Sequence, residues 1–190
     1  MLEKKLLEES KKIIEKYKLI PHGDGAYFIE HYSSSSSSNE RAFAASIYFL
    51  LDQNDITPFH KLDCDDIWFY HQGVGMNVYF VEKDNTVSVR QLGIGEGQNP
   101  MVIVPKNTIF GAENIDPKGY TFISCINVPR FMPQGYELIT KKKCPGLPEK
   151  YEKLIASLLQ MEIDERAEEG KLLGITTNIQ KINCLKNIVL

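Results

Sequence analysis

The sequence predicts a mainly β protein, a sandwich or barrel of short strands with helical segments at both ends. Three observations lead there. From residue 41 to residue 139 the chain is a series of short runs rich in β-branched and aromatic residues: AFAASIYFLL, DIWFYHQG, MNVYFVE, TVSVRQLG, MVIVP, YTFISCINV and YELIT. Turn signals separate them, namely DQND, QGVG, EKDN, GIGEGQNP, PKN, DPKG and MPQG. No helical pattern falls between them, which is the arrangement of all-β sandwiches and barrels. With 190 residues, 43% of them hydrophobic, and a net charge of only -3, the chain can bury a sizeable core and is not of disordered composition.

The flanks read differently. Over residues 2–18, Leu2, Leu6, Leu7, Ile13, Ile14 and Tyr17 recur at helical spacing with Glu and Lys between them. This predicts a helix with one apolar stripe laid on the outside of the domain. PHGDG at 21–25 breaks it, and AYFIEHY follows as a strand. The serine run over 33–39 predicts a flexible loop, because serine competes locally for backbone hydrogen bonds and buries little. PEKYEKLIASLLQMEIDERAEEGKLLG reads as a helix with Pro148 in its first turn and Gly174 near its end, and residues 175–190 form a tail. The expected organisation is an N-terminal helix (1–18), a β domain (19–140) and a C-terminal helix and tail (141–190).

Mild acidity argues against a nucleic-acid partner, which selects a basic face. No apolar run nears the ~20 residues of a membrane helix. The N-terminus has no continuous apolar core and no small-residue cleavage site, so it does not read as a secretory signal. Cys64, Cys125, Cys144 and Cys184 have neither paired nor zinc-finger spacing, and read as reduced thiols of a cytoplasmic protein.

Chemistry concentrates in FHKLDCDDIWFYHQG, residues 59–73, which holds two of the four histidines and the only tryptophan. Alternate residues of a strand share a face. If His60 and Leu62 point inward, Asp66, Trp68 and Tyr70 follow after a turn at 63–65. An imidazole, a carboxylate, an indole and a phenol facing one cavity suit a small polar ligand. His71 falls out of phase and is expected to face outward or to cap the turn at Gly73. The glycines of 93–97, GIGEG, lack the Lys-Ser/Thr ending of a phosphate loop and read as a connection.

These residues carry a family resemblance. His60, Asp66 and Gly73 fit the first cupin motif, and Gly97, Pro105 and Asn114 echo the second. PHGDGAYFIEHY, R-AFAASIYFLL, FHKLDCDDIWFYHQGVGM, LGIGEG, VPKNTIF, SCINVPRF, YEL and PGLPEKYEKLIASL resemble, in order, the patterns of the cupin_5 (DUF985) family of RmlC-like cupins. The resemblance covers residues 19 to about 159. It implies a double-stranded β-helix, the jelly-roll cupin barrel, as a homodimer. It implies no particular reaction.

Metal-dependent cupins hold their ion with three histidines and a glutamate. Carried over, those positions are His60, Leu62, Asp66 and Phe110, so half of the set is apolar. No cofactor is predicted. Were a divalent metal bound, His60 and Asp66 would be its ligands, with Glu30 or His22 as candidates to complete the shell. The RmlC-type epimerases work without metal. By that resemblance His60 is a base, Asp66 its orienter, and Tyr70, Tyr79 or Tyr120 the acid on the opposite face. The expected ligand-binding set is Glu30, Trp68, Tyr70, Tyr79 and Phe110. Glu30 is expected to pair with Arg41, His60 or a ligand, or to face solvent. Three readings stand at this point: a binder of a small sugar or nucleotide-sugar metabolite, a metal-independent epimerase or isomerase, and a non-enzymatic storage or interaction protein.

Overall fold

The structure, a computed structural model, describes residues 7–22, 26–34, 41–140, 143–144 and 146–155. The expectations for residues 2–6, the serines beyond Ser34, Cys184, the helix beyond Ile155 and the tail lie outside these.

One helix, α1 (Glu8–Tyr17), precedes the strands β1 (Ile20–Pro21), β2 (Tyr27–Ser33), β3 (Ala45–Leu51), β4 (Ile56–Leu62), β5 (Asp65–Gly73) and β6 (Met76–Val81). β7 (Val87–Leu92), β8 (Met101–Val104), β9 (Ile109–Asn114), β10 (Thr121–Val128) and β11 (Tyr136–Leu138) follow. Every strand pairing is antiparallel. A six-stranded sheet runs β1-β2-β3-β10-β5-β8, and a five-stranded sheet runs β11-β4-β9-β6-β7.

The sheets share one apolar core. The first sends in Phe28, Phe49, Trp68, Val102 and Ile123, and the second Leu62, Met76, Val78, Phe80, Phe110 and Ala112. This follows from period-two alternation within each strand, with polar or second-layer residues on the opposite face. Two further apolar layers cover the outsides. Ile13, Ile14 and Tyr17 of α1 pack on Leu50 and Phe122 of the first sheet, and Ser10 Oγ donates to the buried Asp52 carboxylate. Tyr151, Leu154 and Ile155 pack on Phe59, Tyr79 and Val81 of the second sheet. There a 3-10 turn, Glu149–Tyr151, runs on as helix to residue 155.

Two strands central to the second sheet, β4 and β9, lie outside the apolar runs of the sequence. Pro58 and Gly111 disguise them. Proline has no N–H to give a ladder and is tolerated at a bulge. The β4–β9 register does shift between Thr57 and His60. Gly111 faces that bulge, where a Cβ would lie 2.9 Å from the Thr57 carbonyl oxygen and 3.1 Å from the Phe59 ring. The turns obey the sequence more directly. Asn54, Asn85 and Asn107 take left-handed backbone angles, which asparagine tolerates best among residues with a Cβ. Asn114, at the end of β9, donates from Nδ2 to the carbonyls of Leu51, Asp52 and Gly119 at 3.1–3.2 Å, tying β3 to β9.

Where β7 passes β8, Arg90 closes the side of the sandwich. Its guanidinium lies 4.4 Å from the Phe80 ring centroid and Nη1 donates to the Ile103 carbonyl at 3.0 Å. The outer face of the first sheet carries two uncharged rows set by register. One is Ile103–Ile67–Ile126–Ser46–Tyr32 and the other Met101–Phe69–Ser124–Tyr48–Ile29. Away from α1 the face is open, with Met101, Ile103 and Tyr32 exposed.

Among the described residues, Cys64, Cys125 and Cys144 are buried unpaired thiols, and no helix is long and apolar enough to cross a membrane. Because Gly111 makes room for the β4 bulge, Gly111→Ala is expected to lower stability by about 1–3 kcal/mol, read as a lower urea midpoint. An unchanged midpoint would show that the bulge does not need the glycine.

Candidate functional site

The β4 bulge sets His60. Its Nδ1 lies 2.7 Å from the Pro58 carbonyl oxygen. A carbonyl only accepts, so Nδ1 carries the proton and Nε2 is the basic nitrogen of the neutral ring. The imidazole is buried against Phe110, ring centroids 4.1 Å apart, and stacked on Tyr136 at 5.1 Å and 22°. Leu62 is also turned into the core, while Phe59 belongs to the outer layer and Lys61 pairs with Glu137.

On β5, Asp66 and Trp68 are buried and Tyr70 half-buried on the same inner face. Trp68 Nε1 donates to Asp66 Oδ2 at 2.7 Å. Its indole also meets Phe49 at 6.4 Å and, across the sheets, Phe110 at 5.8 Å. Asp66 Oδ1 is buried with no hydrogen bond of good geometry. Burial pushes the Asp66 carboxyl up to about 7, against the opposing pull of the Trp68 and Asn127 side chains. Asp66, Trp68, Phe110, His60 and Tyr136 thus form one contiguous path of contacts from sheet to sheet.

The geometry sets several of the expected site residues beside other partners than the sequence suggested. His60 Nδ1 bonds the Pro58 carbonyl, and the Asp66 carboxylate is held by the Trp68 and Asn127 side chains. None of the three tyrosines named as the acid stands against His60. Tyr79 points to the other side of its sheet and donates to Glu113 at 2.6 Å, beneath Tyr151. Tyr70 donates to the Gly73 carbonyl at 2.7 Å, about 13 Å along the strand from Asp66 at normal rise. Tyr120 packs in the α1 layer and accepts from Gln72. Tyr136 is the tyrosine on His60, and the sequence reading passed over it. The YEL strand is legible in the sequence, and alternation within it puts Tyr136 on the face opposite Glu137.

Glu30 pairs with Arg130, not with Arg41 or His60. Arg130 Nε and Nη2 reach its two oxygens at 3.1 and 3.0 Å. Arg41 forks onto Asp63 at 2.9 and 2.7 Å and donates from Nε to the Arg130 carbonyl. The Asp63 N–H holds the Gly135 carbonyl. These charges pin the segment from Pro129 to Tyr136, whose Phe131 and Tyr136 side chains close the end of the sandwich nearest Asp66 and His60.

The donor set of a metal cupin does not assemble. Leu62 and Phe110 are buried apolar side chains at two of its positions. Among the described residues, no three His, Cys, Asp or Glu side chains converge as ligands. His22 sits edge-on to Phe28 and Phe49. His31 and His71 flank Tyr48 on the outer face of the first sheet. Burial raises the Cys64 thiol to about 12 and pushes Cys125 up as well, with the Asp66 charge acting in the same direction, so neither is a ready nucleophile.

Fold and interior together define a two-sheet β protein with a buried acid and a histidine at one end. The family model described as Cupin superfamily (DUF985) matches residues 11–139, and the chain belongs to that family. Its structure is similar to that of a Shewanella oneidensis protein solved by structural genomics, with a TM-score of 0.70 and 26% identity over 78% of this chain and 96% of that one. It is also similar to a hypothetical protein from Leishmania major, with a TM-score of 0.66 and 26% identity over 77% and 96%. No curated protein matches the chain.

The raised carboxyl has a pH signature. The folded state keeps the Asp66 proton up to about 7, whereas the unfolded chain releases it near the ordinary value of about 3.9. The Asp66 contribution is therefore full below that value, declines as pH rises toward 7 and is lost above it. Asp66→Asn is expected to remove this slope. At pH 8 the variant should be more stable than the parent by at least about 1 kcal/mol, with the gap closing at pH 4, in urea melts across that range. A gap independent of pH would refute the assignment.

Proposed function

We propose that this chain is a metal-free, small-molecule-binding cupin whose two sheets form the double-stranded β-helix of the jelly roll. Its ligand is a small polar metabolite held between the sheets at Asp66, His60, Trp68 and Tyr136. One observation carries this reading: Asp66 Oδ1, buried and without a hydrogen bond. A desolvated carboxylate oxygen costs free energy until a donor meets it. A ligand N–H or O–H supplies that donor, and the aromatic rings beside it supply walls, the usual make-up of a small-molecule site. Of the two ligand types suggested by the sequence, a sugar-like polyol fits better than a nucleotide-sugar. The two arginines at the nearby sandwich end are already forked onto Asp63 and Glu30.

A second reading, proton transfer by His60, is favoured by its Nδ1–Pro58 bond, which leaves Nε2 basic. Solvent deuterium wash-in to a keto-sugar, lost in His60→Ala, would support it, and retention would remove His60 from that role.

We also propose a cytoplasmic homodimer. The unpaired thiols support the compartment. The two uncharged rows on the first sheet support the dimer, because a two-fold mate brings an identical apolar face that needs no opposite charge.

A broad metabolite panel at pH 8 is expected to contain at least one small polar compound that raises the melting temperature of the parent and not of Asp66→Asn. A silent panel would count against binding. Elemental mass spectrometry of untagged protein purified without chelator should find far less than one transition metal per chain, and a stoichiometric metal would overturn the metal-free reading. Light scattering should give twice the chain mass, falling to one in Ile67→Glu. A monomeric parent would sink the dimer.

A further inference from the structure

Resting on the reading that Asp66 marks a binding site, we propose that the site prefers a small organic cation carrying an N–H over a neutral polyol or an anion. The ammonium of such a ligand donates to Asp66 Oδ1 while its carbon part lies against the aromatic rings.

Three observations converge on a cation. The first is that Asp66 Oδ1 is buried without a hydrogen bond, and that the donors found on the carboxylate, the Trp68 indole and the Asn127 amide, are both neutral. A buried charge is best compensated by an opposite charge with hydrogen bonds. The second is that, among the described residues, no positively charged side chain compensates it. The groups that act on Asp66 are the Trp68 and Asn127 side chains, both neutral. Arg41 and Arg130, at the nearby end of the sandwich, are forked onto Asp63 and Glu30. The third is the wall. Trp68 holds the carboxylate, and Phe49 and Phe110 stand beside the Trp68 ring at 6.4 and 5.8 Å. The negative faces of aromatic rings attract a cation once water is excluded. An anion would meet an uncompensated carboxylate at the same place, and a polyol would satisfy the hydrogen bond but leave the charge unpaired.

Three two-carbon probes of matched size separate the classes: ethanolamine, ethylene glycol and glycolate. Each is titrated to saturation into the full-length protein at pH 8 and constant ionic strength, with thermal unfolding as the readout. Ethanolamine at ten times its dissociation constant is expected to raise the melting temperature by roughly 3–6 °C, with glycol and glycolate inert. Asp66→Asn should abolish the rise. A cooperative melt of probe-free Asp66→Asn, at a temperature no lower than the parent's at pH 8, guards against a folding defect in the variant. Glycol stabilising as much as ethanolamine, both through Asp66, would overturn the cation preference and leave the binding reading intact. An ethanolamine shift that survives Asp66→Asn, or silence from ethanolamine in the parent, would overturn the proposal. The binding reading would then be decided separately by the metabolite panel.

Discussion

Trp68 is the side chain on which the rest of the structure leans. It is the only tryptophan in the chain, and its ring meets Phe49 on its own sheet and Phe110 on the other. A buried indole brings a polar N–H with it, and that hydrogen needs an acceptor. Asp66, two residues earlier on the same face, provides one. The packing of the core therefore requires a carboxylate inside, and a carboxylate has two oxygens. One is used by the fold. The other is buried without a hydrogen bond. Structure and candidate site are one unit rather than a site added to a finished scaffold.

The second half of that unit comes from backbone geometry. Pro58 interrupts β4, the strand bulges, and the carbonyl of the proline itself fixes the imidazole two residues on. Gly111 on the neighbouring strand is small enough to accept the bulge. Phe59, between Pro58 and His60, points the opposite way into the layer under Tyr151. Adjacent residues of β4 thus join the inner core to the outer layer, and the pose of His60 depends on packing on both sides of its sheet.

Much of the fold was legible in the sequence, because most strands are short apolar or aromatic runs bounded by Gly, Asn and Asp. Of the strands outside those runs, β4 and β9 carry Pro58 and Gly111, the residues that the bulge and its facing position require. Strand alternation also placed Asp66, Trp68 and Tyr70 on one inner face. What alternation cannot give is the partner of each group. That Trp68 bonds Asp66, that Arg130 rather than Arg41 takes Glu30, and that Tyr136 rather than Tyr79 lies on His60 all depend on contacts between segments distant in the chain. Arg130, 100 residues from Glu30 in the chain, pins the closing segment to β2.

Arg90 has a consequence beyond closing the sandwich. β8 is the last strand of its sheet, and an edge strand offers backbone groups that a strand of another chain can take up. The Arg90 guanidinium occupies the Ile103 carbonyl in the middle of that edge, and a positive charge along it repels the matching edge of a second molecule. A side chain recruited from the opposite sheet thereby guards the β8 edge against fibre-like growth.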